Sequence, residues 1–162
     1  MYDRVLVPLD GSKIAEAVIP SVTELILGGK DSREIEITLL QVVSDRKDAT
    51  IQRGTVFPTV VYVTYSESEM EQIKSMVTEY LEKVGSTFKI GPHVTIKTLV
   101  RFGVDVADQI LKVSDETRAN LIAISTHGRS GLTRWALGSV ADKILRGGNI
   151  PVLMVRAEKQ PK

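Results

Sequence analysis

The chain has 162 residues, 43% of them hydrophobic and 25% charged, with 21 basic against 20 acidic side chains and a formal net charge of +1. That size suits one soluble domain with a sizeable core, and so even a balance gives no broad attraction to nucleic acid or anionic lipid. There is no cysteine, which excludes disulfides, thiolate zinc sites, iron–sulfur clusters and cysteine nucleophiles, and the two histidines, His93 and His127, cannot make a three-histidine metal site.

No apolar run reaches the ~20 residues of a membrane span. The opening Met1-Tyr2-Asp3-Arg4-Val5-Leu6 runs straight into a strand-like segment without a signal-peptide layout. A cytoplasmic location is therefore expected. Val5-Leu6-Val7 reads as a buried strand ended by Pro8 and an Asp10-Gly11-Ser12 turn. Ile14, Val18, Val22, Leu25 and Ile26 recur at helical spacing, with Pro20 predicting a kink and Gly28-Gly29 a stop. Ile35 to Val43 is a second strand. The stretch 44–65 has no helical period and reads as a long irregular loop.

Ser66-Glu67-Ser68-Glu69 has capping-box spacing, and Met70, Ile73, Val77, Tyr80, Leu81, Val84 and Phe88 form one face of the helix behind it. Val94 to Val100 is a third strand, Gly103 a turn, and Val106, Ala107, Ile110 and Leu111 a further helical face. Leu121-Ile122-Ala123-Ile124 is a strand buried on both sides. Val140, Ala141, Ile144 and Leu145 give a last helix, stopped at Gly147-Gly148 before the strand Pro151 to Val155. The order β-α-β-α-β-α-β-α-β implies one α/β domain over residues 1–162, with a parallel sheet covered by helices on both faces.

Ligands of open parallel sheets bind beyond the carboxyl ends of the strands. After the fourth strand comes Ser125-Thr126-His127-Gly128-Arg129-Ser130-Gly131, and further on Gly138-Ser139-Val140 opens a helix. Glycines let backbone N–H groups approach an anion, and a helix N-terminus favours phosphate. Ser139 adds a hydroxyl, and His127 or Arg129 a donor or charge. The same residues also fit ordinary loop and N-cap chemistry. Asp10 fits either a plain turn or a carboxylate that accepts from a ribose hydroxyl or an adenine amino group. No G-x-x-x-x-G-K-[ST], G-x-G-x-x-G or G-x-S-x-G element is present, so Walker, dinucleotide and hydrolase-elbow signatures are absent. His93 reads as an exposed residue at a strand start, and the single tryptophan, Trp135, as packing.

Val5-Leu6-Val7-Pro8-Leu9-Asp10-Gly11-Ser12, Thr126 to Leu132, Leu137 to Ala141 and Ile150 to Val155 together resemble the universal stress protein family. The resemblance covers the whole chain in element order. It implies a five-stranded parallel open sheet in the order 3-2-1-4-5, a Rossmann-like adenine-nucleotide fold, and a homodimer paired through the strand Pro151 to Val155. One branch of that family binds ATP through G-x-x-G, nine residues, then G-[ST]. Gly128 matches the second glycine, and Gly138-Ser139 close the motif, while Ser125 stands where the first glycine belongs. Serine there either admits the ribose against its backbone or crowds it with Cβ and hydroxyl. The resemblance further places Pro8, Asp10 and Val42 around adenine and ribose, and Gly128, Gly138, Ser139 and Val140 around the phosphates. His127 and Arg129 are additions on the phosphate side.

The implied function is an ATP-binding stress or regulatory protein, with AMP or ADP as alternative ligands and Mg²⁺ carried on the phosphates. Hydrolysis is expected to be slow at most, because no placed general base is evident. A dimeric interaction module of the same fold that binds no nucleotide is the alternative, and Ser125 favours it. An ATP-pyrophosphatase reading needs a serine- and glycine-rich loop after the first strand, where this chain has only Asp10-Gly11-Ser12.

Overall fold

The computed structural model describes residues 2–28, 33–52, 59–127 and 138–157, with backbone alone at 48–52, 59–62 and 127. Its main sheet has five strands: β1 (Arg4–Leu9), β2 (Ile35–Val43), β5 (Val94–Phe102), β6 (Leu121–His127) and β7 (Val152–Ala157). They lie in the order β5-β2-β1-β6-β7, which is 3-2-1-4-5 when only these strands are counted, and every pairing is parallel. The expected sheet is therefore the observed one.

Alternation along the strands sorts the core into two layers. Val5, Val7 and Leu9 of β1 face one way, with Ile37, Leu39, Leu121 and Ala123. That layer is closed by α1 (Lys13–Glu16), α2 (Ile19–Leu27) and α3 (Glu67–Gly85), through Ala15, Val18, Val22, Ile26, Val77, Leu81 and Val84. Leu6, Leu40, Ile122 and Ile124 face the other way, against α4 (Val106–Glu116) and α5 (Ser139–Gly147), which contribute Ala107, Ile110, Val113, Ala141 and Ile144. Strands buried on both faces need apolar side chains at nearly every position, which is why Val5-Leu6-Val7 and Leu121 to Ile124 read as unbroken hydrophobic runs.

Pro20 does more than kink its helix. The segment divides into α1 and α2, with Pro20 in the first turn of α2 and α1 ending at Glu16. A proline ring clashes with the carbonyl four residues earlier, and here that residue is Glu16. The Ser66 capping box forms as read: the Ser66 hydroxyl accepts from Glu69 N–H at 3.4 Å, and Glu69 accepts from Ser66 N–H at 2.8 Å. Phe88 is buried just beyond the helix rather than within it. Leu145 is exposed on α5.

The stretch read as an irregular loop holds an antiparallel pair, β3 (Arg46–Gln52) and β4 (Thr59–Thr64), with a register irregularity between Arg46 and Ala49. Thr59-Val60-Val61-Tyr62-Val63-Thr64 is a run of β-branched and aromatic residues with good strand propensity. The charged Arg46-Lys47-Asp48 masks the strand it pairs with. Lys47 Nζ reaches Glu69 Oε1 at 2.5 Å and lies 5.2 Å from the Tyr65 ring centroid, fastening the base of the hairpin to the start of α3.

At the opposite end of the sheet Asn120 clamps β1 beside β6. Its Oδ1 accepts from Asp3 N–H at 3.3 Å and Arg4 N–H at 3.1 Å, and its Nδ2 donates to Asp3 Oδ1 at 2.7 Å. Asn120→Ala should lower unfolding free energy by about 1–2 kcal/mol in urea titration, with an unchanged slope. An unaltered midpoint would show the clamp to be dispensable.

A second expectation concerns acid. Hydrogen bonds from Lys47, then from Ser66 N–H and hydroxyl, pull Glu69 from 4.5 down to about 2. The folded value lies below the unfolded one, so this carboxylate contributes stability above about pH 4.5 and loses it as pH falls towards 2. Glu69→Gln should flatten the fall of melting temperature over that window relative to wild type. Parallel curves for the two proteins would contradict the assignment.

Candidate functional site

β1 and β2 stay in register up to Leu9 and Gln41, whereas the β1–β6 pairing stops at Leu6 and Ile122. Both strands run on past that point, to Leu9 and His127. The chain leaves β1 towards the layer of α1 to α3, and enters and leaves β6 through the layer of α4 and α5. Strand order reverses here, and a crevice opens at the carboxyl edge, as the topology demands.

The crevice is a cavity of about 600 Å³, within the size range of small-molecule sites. Pro8, Leu9 and Asp10 form the wall on the β1 side, with Ala15 of α1. Ile124, Ser125 and Thr126 form the β6 wall, Val106 and Ile110 of α4 close one side, and Gly138 to Ala141 bring the start of α5 to it.

Each wall has a local cause. Asp10 Oδ1 accepts from Ser12 N–H at 2.9 Å, and Gly11 takes φ +83, a left-handed value that other residues rarely adopt. Ser12 then caps α1 by accepting from Ala15 N–H at 3.1 Å. From α3, the Tyr80 hydroxyl donates to Glu16 Oε1 at 3.3 Å. Burial first, then the negative charges of Glu16 and Asp10, push that phenol up to about 12.

The phosphate-side expectation turns on α5. Gly138 is its N-cap, with φ −61 and ψ 150, and no side chain caps the helix. Ser139 is therefore the first helical residue and not the cap. The first-turn amides of a helix have no intrahelical partner, and those of Ser139, Val140 and Ala141 belong to residues that line the cavity. By contrast α4 is capped by Asp105, whose Oδ1 accepts from Asp108 N–H at 3.0 Å. Among the described residues a Cβ on Gly138 would meet nothing within 4 Å, and its φ is one that any residue adopts. Neither its backbone conformation nor packing among the described residues requires glycine there. Lys143 Nζ, held at 2.5 Å by Asp105 and 2.9 Å by Asp108, ties α5 to α4. Those contacts lower the Asp105 carboxyl and raise the Lys143 amine, keeping the pair ionised.

Six sequence-expected residues meet at the cavity: Pro8, Asp10, Ser125, Gly138, Ser139 and Val140. Val42 is half-buried and packs against the α4–α5 layer instead of lining it. His127 ends β6 opposite Ala157 with its side chain outside the described atoms, and Gly128, Arg129 and Trp135 lie outside the described residues. His93 is partly buried just ahead of β5, and its carbonyl accepts from Ile35 N–H at 2.9 Å. Thr126, Val106, Ile110 and Ala15 were not singled out from sequence. Thr126 was signalled by adjacency to Ser125, but the other three carry only the periodicity of helix faces. Among the described residues no group of three His, Asp or Glu side chains converges to hold a metal ion, and no helix is long and apolar enough to cross a membrane.

The sequence profile of the universal stress protein family matches residues 1–156. A universal stress protein of Methanocaldococcus jannaschii is 25% identical over 165 residues, covering 96% of each chain. Among solved structures, a universal stress protein family member from Burkholderia pseudomallei superposes with a TM-score of 0.63 at 21% identity, over 96% of this chain and 97% of that one. One from Arabidopsis thaliana with AMP bound gives a TM-score of 0.58 at 15% identity, over 96% of this chain and 92% of the other. With the profile spanning nearly the whole chain and the sheet order and crevice as described, this protein belongs to the universal stress protein family.

Proposed function

We propose that this protein is an ATP-binding regulatory protein of the stress-response type, seating the nucleotide in the crevice between β1 and β6. The observation that carries the reading is Gly138: a glycine that neither its conformation nor any packing among the described residues demands, at the start of a helix that opens on a cavity. Such a position suits close approach of a phosphate to backbone amides and to the positive end of the helix dipole. The nucleoside then extends towards Pro8 and Asp10, whose second carboxylate oxygen makes no hydrogen bond among the described residues. AMP bound to the Arabidopsis family member supports an adenine nucleotide as the ligand class. Mg²⁺ would be carried by the phosphates, as it commonly is in nucleotide sites. No described side chain is placed as a general base at the α5 end, so binding with little or no turnover is the expected behaviour.

The dimer belongs to the same reading. β7 is an edge strand of apolar residues, Val152 to Val155, each only half-buried. Ile122 N–H donates to the Pro151 carbonyl, so alternate residues Leu153 and Val155 turn their backbone groups to β6 while Val152 and Met154 turn theirs outwards. An open edge of this kind pairs with its own copy about a two-fold axis.

Two experiments test the proposal. Protein stripped of small molecules should bind Mg·ATP in calorimetry, and Gly138→Val should weaken that binding at least about tenfold while costing less than ~1 kcal/mol of stability. No binding by the wild type at millimolar ATP would defeat the nucleotide reading. Sedimentation should find a dimer for the wild type and a monomer for Met154→Pro, which removes an outward N–H without touching the β6 ladder. A monomeric wild type would defeat the dimer.

A further inference from the structure

We infer that Ser125 reads the sugar of the bound nucleotide: its hydroxyl hydrogen-bonds a ribose hydroxyl, so that ribonucleotides bind in preference to their deoxy forms. The inference rests on the nucleotide reading above and goes beyond it, because the family motif has glycine at this position and so supplies no side chain there. Among the described residues three buried side-chain oxygens have no hydrogen-bond partner: Gln41 Oε1, Asp45 Oδ1 and Ser125 Oγ. Only Ser125 of these lines the cavity. A hydroxyl taken out of water without a partner is destabilising, and native structures tolerate it mainly where something else completes the bond.

Position supplies the partner. Ser125 lies on the β6 wall of the cavity that Asp10 and the start of α5 also line. With the phosphates on the α5 amides and the base towards Asp10, the sugar is the part of a nucleotide that spans this wall. Ser125 is only half-buried as a residue although its oxygen is enclosed. The hydroxyl turns about a single bond among three staggered positions, so it can meet the cavity without any movement of β6. A serine hydroxyl both donates and accepts, as does a ribose hydroxyl, so the pair is complementary in either sense. A ligand lacking that hydroxyl leaves Ser125 unpaired in the complex, and sites built to bond a hydroxyl discriminate strongly against analogues without it.

The test compares ATP, 2′-deoxy-ATP and 3′-deoxy-ATP by calorimetry on wild type, Ser125→Ala and Ser125→Gly. In the wild type at least one deoxy analogue should bind about fivefold or more weakly than ATP, the effect of one hydrogen bond. In both variants the ratio should collapse to near one, with ATP itself weakened. Ser125→Ala leaves no partner group stranded, so melting temperatures should hold while the ratio and the affinity for ATP change. A ratio that persists in Ser125→Ala, or equal binding of all three nucleotides by the wild type, overturns the assignment while leaving the nucleotide reading standing. Failure of the wild type to bind ATP at all overturns both.

Discussion

The structure depends on the parting of β1 from β6. β1 is held on both sides at its start, with Asn120 clamping Asp3 and Arg4 and with register to Leu121 and Ile122. Beyond Leu6 only the β2 side of the ladder continues. Two right-twisted strands whose connections depart to opposite faces of the sheet have no loop to bridge the gap between them. The cavity is thus a product of topology, and the residues at its walls are whatever the chain carries just past each strand. That accounts for how stretches far apart in sequence, Pro8 to Asp10 and Gly138 to Ala141, come to share one space.

What distinguishes the α5 end is the contrast with the other helices. α1, α3 and α4 are each capped by their own side chain, from Ser12, Ser66 and Asp105. α2 follows α1 almost directly, with proline in its first turn. α5 alone among these has neither device, and it alone starts at a glycine that a Cβ would leave uncontacted among the described residues. The ion pairs of Lys143 with Asp105 and Asp108 fix α5 against α4, so its amides are presented on a rigid wall and not on a loose loop. Those pairs are solvent-exposed and add little to stability; their contribution is to position.

Local patterns carried the elements, the parallel α/β class and the capping box, while the sheet order and most of the expected site residues came from the family resemblance. Apolar runs, turn residues and a serine three before a glutamate are all readable one window at a time. The hairpin escaped because β3 begins Arg46-Lys47-Asp48 and draws its strand character from pairing with β4, which is not a local property. The resemblance puts Val42 at the nucleoside, and alternation along β2 sends it with Leu40 to the α4 side, where it packs half-buried against that core layer. Val106 and Ile110 were seen as helix-face residues and no more, since nothing in a helical period says that the first turn of α4 borders a crevice two strands away. Ser125 was visible as a departure from glycine, but its enclosed and unpartnered oxygen was not.

Asp10 shows why structural and functional readings of one residue need not compete. The turn that Asp10-Gly11-Ser12 predicts is there, with one carboxylate oxygen of Asp10 accepting from Ser12 N–H. That bond fixes the side chain, Gly11 supplies the positive φ that lets the chain fold back, and Tyr80 braces the following helix through Glu16. A carboxylate held by one oxygen keeps the other free in a set direction, at the wall of the cavity. Without the turn, an exposed aspartate would lose rotamer freedom on gripping a ligand, and part of the hydrogen-bond energy would be spent in ordering it. The same holds at the far end, where Gly138 starts α5 and, lacking a side chain, supplies no cap to its first amides. In each case the local structure that the sequence encodes for folding is the preorganisation on which the proposed nucleotide recognition draws.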